Sequence, residues 1–283
     1  MNALLALAQI DPALGDLEKN VALHCAYADR AIAAGAQMVI FPELSLTGYT
    51  VRDMNWDLAV RPDAPPSYMK PLLEKSRAIP IIAGGVEEGG TYGIYNAAFL
   101  FENGTMRSVH RKTYPPTYGM FEEMRYFSRG QSVRAFDSPI GRIGVIVCED
   151  LWHMSLPYLL ALDGAQLIVS LTASPTRLGG DKGDLHMQQV NTENHKAYAR
   201  LLSVYLAFCN RVGFEDGINF WGGSQILGPS GDVLAAAPVF ESGLVCARLD
   251  DAEIRRARRF SRHFADEDPH LVARELDRIL RSS

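Results

Sequence analysis

The sequence lacks the features that mark a secreted or membrane-inserted protein. Its apolar N-terminal stretch has no cationic start and no small-residue cleavage site of the signal-peptide type. No uncharged apolar run reaches the roughly 20 residues that are needed to span a bilayer. The net charge of -5 is mild, and a nucleic-acid-binding protein usually carries a strong basic excess. We therefore expect a cytoplasmic protein that binds neither nucleic acid nor membrane.

Cysteine is also scarce, and its distribution excludes the common metal and disulfide frameworks. The four cysteines are widely scattered, and they form neither a CxxC pair nor a Cys/His cluster with zinc-ligand spacing. Three histidines, His110, His153 and His195, show no metal-site spacing either, and structural roles are expected for them. In a cytosolic chain the cysteines are expected to be reduced. The sequence thus predicts no metal site.

Short apolar runs alternate with longer stretches that have apolar residues at helical spacing. The first unit indicates a strand over residues 3–10, a helix from Leu17 that ends at Gly35, and a parallel strand over residues 38–41. Hairpins are predicted at Asn103-Gly104 and at residues 229–231. These βαβ units and hairpins together predict one α/β domain with mixed sheets. The remaining predictions are strands over 79–86, 92–101, 105–111, 140–147, 166–171, 203–209, 224–227, 233–236 and 243–249, and helices ending near 78 and spanning 156–162 and 191–202.

Three reactive side chains each follow a strand-like run. Glu43 follows residues 38–41, Lys112 follows residues 105–111, and Cys148 follows residues 140–147. In α/β folds, ligands gather beyond the carboxyl ends of strands, so the three side chains are candidates for one site. Each residue alone is weak evidence for a catalytic site, since a single cysteine after a strand is more often a small core residue.

Together the three segments resemble the nitrilase (carbon–nitrogen hydrolase) superfamily. The matching segments are VIFPELSLTGY at 39–49, RKTYP at 111–115 and GVIVCED at 144–150, and the likeness extends from Ala8 to about Leu249. The resemblance implies a four-layer αββα sandwich with two mixed sheets. It also implies that Cys148 is the nucleophile of a thioester acyl-enzyme and that Glu43 is the proton shuttle. Lys112 would stabilise the oxyanion together with the Glu149 N–H. No cofactor is implied, because the triad supplies every catalytic group.

The stretch KTYPPTYGMFEEMRYF at 112–127, with CEDLW at 148–152 and TASP at 172–175, is similar to the glutaminase domain of glutamine-dependent NAD synthetases. By this likeness Glu123 would orient Lys112. The substrate pocket would be lined by Tyr49, Tyr118, Glu149 and Ser174. The resemblance also implies homodimers or higher homo-oligomers that pack through their helical layers.

No pyrophosphate-binding loop of a synthetase domain follows the last predicted strand, so we expect a hydrolase domain over residues 1–250 and a helical extension over residues 251–283. The leading hypothesis is an amidase that releases ammonia from a small linear amide. Hydrolysis of an N-carbamoyl or N-acyl amine, nitrile hydrolysis, and an inactive or ammonia-supplying subunit of a larger complex stay open.

Overall fold

A computed structural model describes residues 1–176 and 186–282; Ser283, the last residue of the expected extension, lies outside them. Among the described residues, no helix is long and apolar enough to cross a membrane. The strands are β1 (Asn2–Gln9), β2 (Met38–Ile40), β3 (Ile81–Glu88), β4 (Ile94–Glu102), β5 (Thr105–Arg111), β6 (Ala135–Ser138), β7 (Gly141–Val147), β8 (Leu167–Thr172), β9 (Tyr205–Asn210), β10 (Val212–Glu215), β11 (Ile218–Trp221), β12 (Gln225–Leu227), β13 (Val233–Ala236) and β14 (Gly243–Asp250). The α-helices are α1 (Leu17–Ala33), α2 (Asn55–Leu58), α3 (Lys70–Lys75), α4 (Glu123–Tyr126), α5 (Ser155–Leu162), α6 (His186–Leu202), α7 (Asp251–Phe260) and α8 (Pro269–Ser282).

Two six-stranded mixed sheets form the centre of the fold. The first has the order β14-β1-β2-β3-β4-β5, and the second has the order β13-β12-β9-β8-β7-β6. Strands β1, β2 and β3 run parallel in the first sheet, as β7, β8 and β9 do in the second, while the outer strands are antiparallel. The parallel strands are apolar on both faces, because both faces of each sheet are covered.

The core has three layers of apolar side chains. One layer lies between the two sheets and includes Leu5, Val147 and Leu171. A second packs α1 and α3 against the outer face of the first sheet, and a third packs α5 and α6 against the outer face of the second sheet. The helices and sheets therefore form four layers, and the predicted αββα sandwich with two mixed sheets is confirmed.

Most predicted elements are present, with shifts of a few residues at their ends. Helix α1 begins after Asp16, whose carboxylate accepts from the Lys19 N–H, and the chain turns away at Gly35, whose φ is +80°. The β10–β11 hairpin was not predicted, although its Asp216-Gly217 turn is a strong hairpin signal. Both turn residues have positive φ, +49° and +78°. Helix α6 is described from His186, five residues before the predicted start.

Candidate active site

Glu43 lies just beyond β2, where the chain passes very close to β3. A Cβ atom at Gly84 of β3 would lie 2.4 Å from the Leu44 nitrogen and 2.8 Å from the Glu43 carbonyl carbon, so only glycine fits there. The Glu43 carboxylate is fully buried. Its Oε1 accepts from Lys112 Nζ at 2.7 Å and from Asn96 Nδ2 at 2.8 Å, and its Oε2 accepts from the Ala173 N–H at 2.9 Å. These bonds fix the carboxylate in one orientation.

Lys112 follows the last residue of β5 and carries its charge into the protein interior. Its backbone N–H donates to the Asn96 carbonyl at 2.8 Å, and its Nζ bonds Glu43 and also Glu123 Oε1, the latter at 2.8 Å. Burial opposes the charged form, but the carboxylates of Glu123 and Glu43 hold the pKa of Lys112 well above its usual range. Lys112 is therefore an ammonium ion at any working pH.

Cys148 is the first residue of a short 3-10 turn, Cys148–Trp152, that begins directly after β7. Its φ of +48° lies in the left-handed region, which costs a residue with a side chain about 1–3 kcal/mol. Burial and the nearby charge of Glu43 raise the pKa of Cys148 well above its usual range, while Lys112 and the Ala173 N–H oppose this shift. The resting side chain is thus a thiol, close to a carboxylate that can accept its proton.

Asp150 connects the cysteine turn to the lysine strand. Its Oδ2 accepts from the Val147 N–H and from His110 Nε2, at 3.1 and 2.7 Å. Its Oδ1 accepts from the backbone N–H groups of Thr113 and Tyr114, at 3.0 and 2.9 Å. A single buried carboxylate therefore ties the start of the Cys148 turn, on the second sheet, to the residues after Lys112, on the first.

Glu123 begins α4 and is held by Lys112 and by the Tyr49 hydroxyl, which donates to Oε1 at 2.7 Å. Its Oε2 is buried and has no hydrogen-bond partner among the described residues. Burial raises the pKa of Glu123 to about 7, although the charge of Lys112 opposes the shift. The backbone of Tyr49 is fixed as well, because Glu215 Oε1 accepts from the Tyr49 N–H at 2.8 Å.

Replacing Glu123 with glutamine should change how stability depends on pH. The pKa of Glu123 is raised from 4.5 to about 7 in the folded protein, so the folded state binds more protons than the unfolded state between these values. The resulting stabilisation is complete below about pH 4.5 and is lost as the pH rises through about 7. In urea unfolding, wild type should lose on the order of 1–3 kcal/mol relative to Glu123→Gln over this range. The exposed neighbour provides the control: Glu122→Gln should run parallel to wild type. Parallel curves for both variants would show that Glu123 does not titrate in this range.

A small cavity lies beside Cys148: about 310 Å³ there is free of protein atoms, a volume that includes the solvent at its mouth, and the enclosed part is only about 20 Å³. Ser174 lines this cavity, and its Oγ accepts from Trp221 Nε1 at 3.0 Å. Tyr118 and Glu149 lie outside the cavity lining and nearer the surface, where the Tyr118 hydroxyl donates to Glu149 Oε2 at 2.9 Å. The structure therefore places Glu43, Lys112 and Glu123 in one hydrogen-bonded cluster close to Cys148, with Ser174 in the adjoining cavity. Tyr49 joins the cluster through Glu123, while Tyr118 and Glu149 form a pair of their own.

Sequence reasoning missed Asn96 and Asp150 and assigned His195 only a structural role. Asn96 is a polar residue within the apolar β4, and a buried amide in such a strand needs a partner. Asp150 stands in the recognised segment around Cys148, but its buried partner His110 lies 40 positions earlier, so no local signal indicates its role. His195 lies on α6 and lines the cavity beside Cys148. In residues 1–176 and 186–282, no group of three or more His, Cys, Asp or Glu side chains could hold a metal ion.

Comparison with known proteins places these observations in a family. The sequence model of the carbon–nitrogen hydrolase family matches residues 4–259. A glutamine-dependent NAD(+) synthetase of Acinetobacter baylyi is 32% identical over 248 residues, which are 87% of this chain and 44% of the relative. A probable nitrilase of Schizosaccharomyces pombe is 29% identical and matches 98% of this chain and 99% of its own length.

One solved structure is informative about cysteine chemistry. It is a variant of the amidase from Nesterenkonia sp. AN1 with the acetamide moiety of fluoroacetamide covalently added at its active-site cysteine. It superposes with a TM-score of 0.78 at 25% identity, covering 96% of this chain and 95% of that chain. Against five NAD synthetases, by contrast, this chain spans only 42–46% of their length.

Proposed function

The chain belongs to the carbon–nitrogen hydrolase family, and we propose that it hydrolyses a small linear amide through a thioester on Cys148, releasing ammonia. The observation that carries this proposal is the buried Glu43–Lys112 pair beside a thiol that is protonated at rest. A carboxylate, an ammonium and a thiol supply the base, the oxyanion partner and the nucleophile of acyl transfer. The hydrolysis of C–N bonds is the activity of the family, and the amide substrate is the proposal.

In the first half-reaction the Cys148 sulfur attacks the amide carbonyl carbon while Glu43 takes the thiol proton. Because the thiol pKa is raised, deprotonation and attack occur together. Two of the three Nζ hydrogens of Lys112 bond Glu43 and Glu123, so the third is available to the developing oxyanion. The Glu149 N–H, in the turn after Cys148, is the second donor. The C–N bond then breaks, and Glu43 gives its proton to the departing ammonia.

In the second half-reaction water attacks the thioester. Glu43 takes one proton from the water, the oxyanion returns to the same two donors, and the C–S bond breaks. The proton on Glu43 passes to the thiolate, which restores the starting thiol. Glu43 therefore acts as base and acid in turn, and its three fixed hydrogen bonds keep one carboxylate oriented for both steps.

Around this cluster we propose that Ser174 contacts the substrate in the cavity and that Tyr118 and Glu149 contact it from the entrance. Tyr49 donates to Glu123, so its proposed role is to hold Glu123 against Lys112. The amidase likeness favours an amide over a nitrile, and an N-carbamoyl amine is the first alternative substrate. Because the synthetases that match have about twice the length of this chain, an ammonia-supplying subunit is the alternative from another class.

The first test measures ammonia release and intact mass on a panel of linear amides, carbamoyl amines and nitriles. We expect turnover of at least one amide and, after rapid acid quenching, a mass increase equal to the acyl group. The adduct should map to Cys148. An adduct on another residue, or turnover without any adduct on Cys148, would contradict the mechanism. Ammonia release that requires a second protein would favour the subunit alternative.

We also propose that the chain forms homodimers through the outer face of α5 and α6, with the C-terminal helices at the same interface. Leu159 and Leu201 on this face are about half exposed, and within its described residues α8 has no buried side chain. Its apolar stripe, Leu276, Ile279 and Leu280, would be covered in such an assembly. In this proposal residues 251–283 act as an extension that contacts the partner rather than as part of the hydrolase domain.

Introducing a charge on this face should separate the protomers. In sedimentation experiments we expect Leu201→Glu to be monomeric at concentrations where wild type is dimeric, because the interface would bury an unpaired charge. Ile32→Glu is the control, since Ile32 is a similarly accessible apolar residue on α1 in the opposite outer layer. Equal sedimentation of wild type and Leu201→Glu would place the interface elsewhere.

A further inference from the structure

The cavity beside Cys148 contains a buried imidazole nitrogen that has no partner in the part of the chain that the structure describes. His195 lies on α6, is 1% exposed and lines the cavity together with Cys148, Thr172 and Ser174. Its Nδ1 contacts Gln225 Nε2 at 2.8 Å, whereas its Nε2 is buried and has no hydrogen bond to any residue of 1–176 or 186–282. A buried polar atom without a partner is costly in a folded protein and is satisfied in most cases by water or a ligand.

The neighbouring bonds determine which nitrogen of His195 carries the proton. The Thr192 hydroxyl donates to the Gln188 carbonyl at 2.9 Å, so toward Gln225 it presents only an acceptor. The side-chain amide of Gln225 lies 3.3 Å from this oxygen. Because the oxygen can only accept in this direction, the NH₂ group of Gln225, rather than its carbonyl, faces Thr192 and His195. The amide therefore donates to His195 Nδ1, and the proton lies on Nε2. Burial lowers the pKa of His195 to about 3, so the ring is neutral.

We infer that His195 is a specificity-determining residue whose Nε2–H donates to an acceptor oxygen on the acyl part of the substrate, away from the reacting carbonyl. The inference rests on the proposed acyl transfer to Cys148, because an acyl group attached to the sulfur would extend along the lining to which both residues contribute. An acyl chain with an oxygen at the right distance satisfies the Nε2–H. A purely apolar chain leaves it without a partner and is bound less well.

The cavity lining also restricts the kind of oxygen. Among the described lining residues the polar side chains are neutral: Thr172, Ser174, Asn191, Asn194 and His195. A carboxylate buried among them would have no cationic partner in this lining, which is unfavourable. An uncharged acceptor, such as the carbonyl oxygen of a ketone or amide, meets one neutral donor without this cost. The expected substrate is thus an amide with a second, uncharged carbonyl along its chain.

The test compares matched substrates in matched variants. Pentanamide and hexanamide are each paired with analogues in which one methylene, at successive positions, is replaced by a carbonyl. For wild type we expect kcat/KM to favour the oxo analogue at one position. His195→Asn keeps an amide near Gln225 but withdraws the donor from the cavity, so this preference should fall about 10- to 100-fold, the effect of one unsatisfied buried hydrogen bond. His195→Gln places an amide N–H near the former Nε2 and should restore part of the preference.

A structural role alone would give a different result, since it would lower kcat/KM equally for both members of each pair. That outcome, or a wild type without preference for any oxo analogue, would overturn the inference even if a Cys148 adduct still forms. Absence of the adduct would instead overturn the proposed function. Imidazole nitrogen NMR shifts of the free enzyme give a second measurement: we expect a protonated Nε2 and an unprotonated Nδ1, and the opposite tautomer would remove the proposed donor.

Discussion

Replacing Cys148 with alanine should lower ammonia release by at least about 10⁴-fold, because the nucleophile of an acyl-transfer unit cannot be replaced by its neighbours. Glu43 and Lys112 remain in place in this variant, but neither can form the thioester. The acyl mass increase should vanish together with turnover. Intact-mass spectra and ammonia assays on the same samples provide the measurement.

Two controls separate lost chemistry from lost structure. Cys246→Ala removes a partly buried thiol from β14, outside the cavity lining, and should retain the activity and the adduct. The unfolding free energy of Cys148→Ala should stay near that of wild type, because alanine keeps the same backbone with its positive φ and removes one atom. A Cys148→Ala variant that still releases ammonia at more than about one percent of the wild-type rate would refute the assignment of the nucleophile.

Replacing Lys112 with methionine should impair both stability and activity. Methionine keeps an apolar stem of similar length but leaves Glu43 and Glu123 buried without a cation, and breaking a buried ion pair in this way costs about 3–5 kcal/mol. The oxyanion also loses a donor, which alone slows turnover about 10²- to 10³-fold. Urea unfolding and steady-state kinetics measure the two effects.

The stability deficit of Lys112→Met should shrink as the pH falls, since protonation of Glu123 removes one of the two uncompensated charges. Lys75 provides the matched control, because it pairs with Asp29 near the surface. Lys75→Met should cost at most about 1 kcal/mol and leave turnover unchanged. A deficit for Lys112→Met that is equally small would mean that Lys112 does not stabilise the two carboxylates.

Local patterns in the sequence predict an α/β domain with mixed sheets, and the family resemblance adds the four-layer arrangement. The same patterns place the three proposed catalytic residues at strand ends, where the structure has them. Glu43, Lys112 and Cys148 each follow a strand-like run, and strand ends are where a layered α/β fold collects its ligands. The supporting bonds could not be predicted in the same way. Asp150 contacts His110, 40 positions away, and Gln225 meets His195 from a different element. Such pairings depend on sheet order and register, which no local pattern specifies.

The same limit applies to pocket residues. Tyr118 and Glu149 were predicted from a resemblance to line the substrate pocket, and the structure places them in a bond to each other outside the cavity lining. The sequence predicts a structural role for His195 because its spacing fits no metal site. Its ring contacts Gln225 of β12, which lies 30 residues later in the chain. A single histidine on a helix has no sequence signal that separates these roles.

The candidate site draws its groups from two different sheets. Glu43 and Lys112 follow strands of the first sheet and Cys148 follows a strand of the second, so the apolar layer between the sheets sets the separation of the proposed base and the proposed nucleophile. A slip of one sheet over the other by a fraction of an ångström would misalign the reacting groups while leaving every strand intact. The catalytic rate should therefore change strongly with small shifts of one sheet relative to the other. Mild denaturant, or a mutation in the apolar layer between the sheets, should abolish turnover before circular dichroism shows any loss of secondary structure.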